Sequence, residues 1–140
     1  FSNLHPTRMP KVETIFLIDD DADDREVFAG ALSSVNPTIT LMTAVDGVDA
    51  LQKLKENFPQ LPDVIFLDLN MPKMNGKQLL KELKNDTHFK IIPVFIYSTS
   101  SNTEDKRDTM ENGAADFIVK PNSYGELCKI LEETTQSVQF

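Results

Sequence analysis

Residues 14–35 read TIFLIDDDADDREVFAGALSSV, and the rest of the chain repeats their plan. The opening TIFLI is a short apolar, β-branched run without polar alternation, as in a strand covered on both faces. From Ala22 onward the period changes, and Val27, Phe28, Ala31, Leu32 and Val35 fall on one helical face. The stretch is therefore one strand feeding one helix. Between them, five of the six residues from Asp19 to Asp24 carry a carboxylate. At an effective dielectric of about 20, two unit charges roughly 4 Å apart repel by about 4 kcal/mol. Such a cluster protonates, splays into water or holds a cation.

Four further β-rich runs follow: TITLMTA (38–44), VIFL (64–67), VFIY (94–97) and FIV (117–119). Helical segments separate them; one, GVDALQKLKEN, places Val48, Leu51 and Leu54 on a single face. Asp46 is expected to cap that helix, Ser101 with Glu104 and Ser123 with Glu126 to box the starts of the fourth and fifth, and Gly113 to stop the fourth. The order is (βα) repeated five times. Right-handed crossovers then leave an α/β fold with an open, doubly wound, five-stranded parallel sheet and helices on both faces.

The whole chain, 140 residues with 40% apolar content and nine Phe, is the size of a single domain. We divide it into an extension at 1–12, a domain at 13–136 and a tail at 137–140. Its net charge of −8 argues against direct binding to nucleic acid and fits a basic partner better. The single cysteine, Cys128, is expected in the core of the last helix. The apolar runs are far too short to cross a bilayer and FSNLHPTRMPKVE has no signal-like core, so a soluble, cytoplasmic protein is expected.

In open parallel sheets chemistry gathers beyond the carboxyl ends of the strands. Asp19 and Asp20 follow the first strand, Asp68 the third, Ser98 the fourth, and Lys120 with Pro121 the fifth; the second is followed only by VDGVDA. Three carboxylates at one edge offer oxygen-only ligation suited to Mg²⁺ or Mn²⁺, which a backbone carbonyl near Asn70 can complete. With Lys120 and Ser98 they form a receptor for a phosphoryl group, and Asp68 becomes a candidate nucleophile. Alone, Asp68 would read as an Asp opening a turn.

These residues resemble a receiver domain of two-component response regulators over residues 13 to about 135. The motifs are LIDDDADD, VIFLDLNMPKMNG, PVFIYSTS and ADFIVKP. The resemblance implies a flavodoxin-like strand order, 2-1-3-4-5. It makes Asp68 the phosphoacceptor, Asp19 and Asp20 the metal-site acids, Asn70 a ligand through its main-chain carbonyl, Ser98 the hydroxyl that follows the phosphoryl group and Lys120 its counter-ion. It also implies a cis Lys120–Pro121 bond, a tight turn at Gly76 and a switch aromatic at Phe117, which otherwise reads as a plain core Phe. Asp21, Asp23 and Asp24 are left as the solvated first turn of a helix, favoured by the macrodipole.

Thr99 stands where the family usually has a small residue, and its branched side chain can narrow access to Asp68. Ser100 and Asn70 occupy positions that tune dephosphorylation in the family. The fourth helical segment, SNTEDKRDTMEN, has Met110 as almost its only large apolar residue, which fits either a loosely held responsive element or an ordinary polar surface helix.

The expected function is that of a phosphorelay receiver taking a phosphoryl group from a histidine kinase or phosphotransfer protein, without an enzyme activity on separate substrates. It would signal to a protein target through the fourth helix, fifth strand and fifth helix, as a monomer or weak homodimer. Only QSVQF follows the last helix, so output by protein contact or phosphorelay is expected. A phosphohydrolase of the haloacid-dehalogenase type would need an acid/base Asp where Asn70 stands, and room for a cap domain. A pseudo-receiver that binds partners without phosphorylation is disfavoured, because every required side chain is present.

Overall fold

The computed structural model describes residues 11–137. Strands and helices alternate: β1 (Thr14–Ile18), α1 (Ala22–Val35), β2 (Thr40–Ala44), α2 (Gly47–Asn57), β3 (Val64–Leu67), α3 (Gly76–Asn85), β4 (Val94–Ser98), α4 (Thr103–Glu111), β5 (Asp116–Val119) and α5 (Tyr124–Ser137). All strand pairs are parallel, in the order β2-β1-β3-β4-β5. The parallel α/β sheet read from the apolar runs is present in full.

Those runs are continuous because successive residues serve different cores. Phe16, Ile18, Ile65, Leu67, Val94 and Ile96 face one core with Ala50, Leu54, Leu79, Leu80 and Leu83. Ile15, Leu17, Val64, Phe66, Phe95 and Tyr97 face the other with Phe28, Ala31, Leu32, Leu127 and Leu131. Phe28 stands edge-on to Phe66 and Tyr97, with ring centroids 5.1 and 5.6 Å apart. Full burial of such a side chain contributes about 1.5–3 kcal/mol. Val12, assigned to the extension, is buried in this second core; Cys128 packs against it, half-buried.

Several local expectations change. Val27 and Val48 are each 49% exposed, because Phe28, Ala31 and Leu32 already fill the α1 stripe and Ala50 and Leu54 that of α2. β2 starts at Thr40, after Asn36 Oδ1 has accepted the Thr38 N–H in a turn. The cap of α4 is Asn102, not Ser101, since its carboxamide oxygen accepts from both Glu104 and Asp105 N–H. Asp46 caps α2 as expected, Ser123 Oγ accepts from Glu126 N–H at 3.1 Å, and Gly113 ends α4 at φ +99°. Among the described residues the cis bond is Phe58–Pro59 and not Lys120–Pro121.

Candidate functional site

The main-chain ladder of the sheet continues one step past the strand ends and fixes three of the candidate residues. Asp19 N–H donates to Ala44 O at 3.0 Å, Asp68 N–H to Ile18 O at 2.9 Å, and Lys120 N–H to Ser98 O at 2.8 Å. The loop after Asp68 then folds back tightly, with Gly76 N–H on Leu69 O. A Cβ at Gly76 would run into the Asp68 carbonyl, so glycine is needed here for close approach. The left-handed backbone position in this loop is instead Lys73, at φ 61°.

Asp19, Asp20 and Asp68 each present a carboxylate oxygen within 4.8 Å of the others. Asp19 and Asp68 are buried and Asp20 is exposed. Burial pushes the Asp68 carboxyl up from 3.8 to about 6; Lys120 opposes this, Asp19 adds to it, and the Asn70 and Leu69 N–H groups pull it down. An all-oxygen cluster that short of positive charge suits a divalent cation.

Lys120, its side chain only 10% exposed, reaches Asp19 Oδ2 at 2.7 Å and Asp24 Oδ2 at 2.8 Å, and lies 3.9 Å from Asp68 Oδ2. Burial works against its charge, but the bonds to Asp19 and Asp24 and the field of Asp68 leave its pKa raised. Its ammonium sits 5.4 Å from the centre of the Tyr97 ring. Tyr97 itself is pushed up to about 12, chiefly by burial.

Ser98 is buried at the end of β4, and its Oγ accepts the Ser100 N–H at 3.2 Å. Asn70 and Thr99 are exposed in their loops. Phe117 is half-buried on β5 and packs against the core shared by α2 and α3. Thus Asp19, Asp20, Asp68 and Lys120 converge at the β1–β3–β5 ends, with Ser98 on the intervening strand and Phe117 behind it.

Two features were missed from the sequence. Asp24, assigned to solvent, is half-buried and bonded to Lys120. It stands four and seven residues before Phe28 and Ala31, so it extends the buried stripe of α1, and that periodicity was the available signal. The second is a charged bridge from Ser98 towards α3. Ser100 Oγ donates to Asp105 Oδ2 at 2.8 Å, and Lys77 Nζ reaches Asp105 Oδ1 at 2.7 Å and Asp108 Oδ2 at 3.1 Å. These bonds lower the Asp105 pKa and raise that of Lys77.

An open parallel sheet with acids, a lysine and a hydroxyl at its strand ends defines a domain that handles a phosphoryl group at a carboxylate. The response regulator receiver domain model matches residues 15–132, and the chain belongs to that family. The family is the phosphoacceptor module of two-component signalling, and the acidic cluster that role requires is present. The phosphorylated cyanobacterial phytochrome response regulator RcpA superposes with a TM-score of 0.82 at 30% identity, covering 91% of this chain and 96% of that one. The Mn²⁺-bound form of the response regulator Rcp1 superposes with a TM-score of 0.80 at 28% identity, covering 94% and 99%. Protein PilG of Pseudomonas aeruginosa is 33% identical over 81% of this chain and 80% of its own length. Of seven further curated relatives that it matches, this chain spans 16 to 46% of the length. No helix among the described residues is long and apolar enough to cross a membrane.

Proposed function

We propose that Asp68 accepts a phosphoryl group from a phosphohistidine of a histidine kinase or phosphotransfer protein. A carboxylate oxygen of Asp68 bonds to phosphorus as the P–N bond breaks, the imidazole keeps the electron pair and takes a proton, and an acyl phosphate results. Asp19, Asp20, Asp68 and the main-chain carbonyl of Asn70 would hold Mg²⁺, or Mn²⁺ in its place. The ion supplies neutralisation of phosphoryl charge. Lys120 pairs with the phosphoryl oxygens from the other side, and Ser98 Oγ donates to one of them. The observation that carries this reading is the meeting of three carboxylate oxygens within 4.8 Å, with the Lys120 ammonium 3.9 Å from Asp68.

The domain, its start moved back to take in the buried Val12, runs to residue 136 and acts in the cytoplasm as a monomer or weak homodimer, without contacting nucleic acid or turning over separate substrates. Phe117 and Ser98 couple the acyl phosphate to the α4-β5-α5 face, which meets a protein target. With Mg²⁺ and acetyl phosphate, intact mass is expected to show one added phosphoryl group, absent in Asp68→Asn. No gain from acetyl phosphate or from a cognate kinase overturns the proposal, and multiple turnover on phosphate esters would favour a phosphohydrolase.

A further inference from the structure

We propose that Asp24 is a positioning residue that carries Lys120 so that Asp19 can serve the cation. This role rests on the cation site put forward above. A lysine ammonium has three N–H donors, and here two of them go to Asp19 Oδ2 at 2.7 Å and Asp24 Oδ2 at 2.8 Å. The remaining neighbour is Asp68 Oδ2 at 3.9 Å. Asp19 and Asp68 belong to the cation cluster and Asp24 does not. Two of the three carboxylates around the ammonium are therefore groups that a divalent ion would claim, and Asp24 alone is left for the lysine.

Asp24 is built for this position. Its N–H bonds to the capping Asp21 side chain at 3.1 Å, and its place on α1 is set by the burial of Phe28 and Ala31 below it. The Tyr97 ring closes another side of the ammonium, at 5.4 Å. Without Asp24, an ammonium that has almost no access to water leans wholly on Asp19 and Asp68 and competes with the ion for them. With Asp24, the lysine keeps a charge-assisted bond outside the ligand set and stays within reach of Asp68.

Asp23 supplies a matched control, because it lies in the same helical turn, carries the same charge and is exposed. Calorimetric Mg²⁺ titration should show Asp24→Asn weakening binding about three- to tenfold, the size of one charge-assisted contact partly screened by solvent, and Asp23→Asn weakening it less than about twofold. In a Lys120→Met background the two substitutions should have equal effects, because Asp24 acts through the lysine. Equal effects of Asp23→Asn and Asp24→Asn in the wild-type background, or a full Asp24→Asn effect that persists without Lys120, would overturn the role. A wild-type chain without saturable Mg²⁺ binding would overturn the cation site itself.

A readout of the lysine itself, with and without the ion, completes the test. The Lys120 Nζ ammonium should give an exchange-protected ¹⁵N–¹H signal that survives saturation with Mg²⁺ in the wild type and in Asp23→Asn, and that in Asp24→Asn is present without the ion but lost when Mg²⁺ claims Asp19 and Asp68. Survival of the signal in Mg²⁺-saturated Asp24→Asn would show that the lysine is held in the loaded site without Asp24 and would refute the positioning role, whatever the calorimetric result.

Discussion

Helices α1 and α4 each follow a strand that ends at the candidate site, yet they are attached to the molecule by opposite means. α1 buries Phe28, Ala31 and Leu32 against the sheet and α5. α4 buries Thr109 alone, whose hydroxyl is satisfied within the helix by Asp105 O at 2.8 Å, and it is tied to α3 through Lys77 and to the β4 loop through Ser100. Apolar packing is lost steeply when a helix shifts, whereas solvent-facing ion pairs re-form in a new register at small cost. One end of the site thus rests on a fixed helix and the other on an adjustable one.

The contrast is most open to attack at Phe28. Phe28→Ala is expected to cost about 3–5 kcal/mol in urea unfolding, since it empties an enclosed site between Phe66 and Tyr97; a cost near zero would mean that α1 is as loosely held as α4. Next comes the carboxylate between the two helices. The Asp68 carboxyl titrates near 6, above its ordinary 3.8, so the folded state retains a proton that the unfolded chain releases. Stability in the absence of divalent ions should therefore fall as pH rises from about 4 to about 6, by about 2–3 kcal/mol in all. Asp68→Asn should remove that slope and be the more stable protein at pH 7.5; parallel pH profiles for the two proteins would contradict the burial argument.

The remaining expectations are smaller. Lys77→Met should speed amide exchange in α4 several-fold and leave α1 unchanged, and raised salt should act on the wild type in the same direction. Uniform acceleration across both helices would dissolve the comparison. Val27→Ser should change stability by no more than about 0.5 kcal/mol, because that side chain points to water although its neighbour Phe28 does not.

The fold was legible because strands covered on both faces leave unbroken apolar runs, and the site because Asp19, Asp68 and Lys120 each follow their strand directly. TIFLI and VIFL deliver Asp19 and Asp68 with no loop between, so knowing the strand was enough to place the acid. Asp24 was harder, since its charge resembles that of exposed Asp23 and only the helical angle to Phe28 separates them. The Lys77–Asp105 bridge joins residues remote in sequence on two polar surfaces, and a charged run such as TEDKRD looks the same whether it faces water or a lysine. The α4 cap moved by one residue for a local reason, an Asn competing successfully with the Ser beside it.

The main-chain bonds that extend the sheet past Ile18, Leu67 and Val119 hold Asp19, Asp68 and Lys120 by their amides, and amides are common to all residues except proline. The scaffold can therefore shed its chemistry and keep its shape. Asp68→Asn should retain the backbone contour of the unphosphorylated domain. It would compete with the active protein for a phosphodonor that recognises the unphosphorylated form, while passing nothing on.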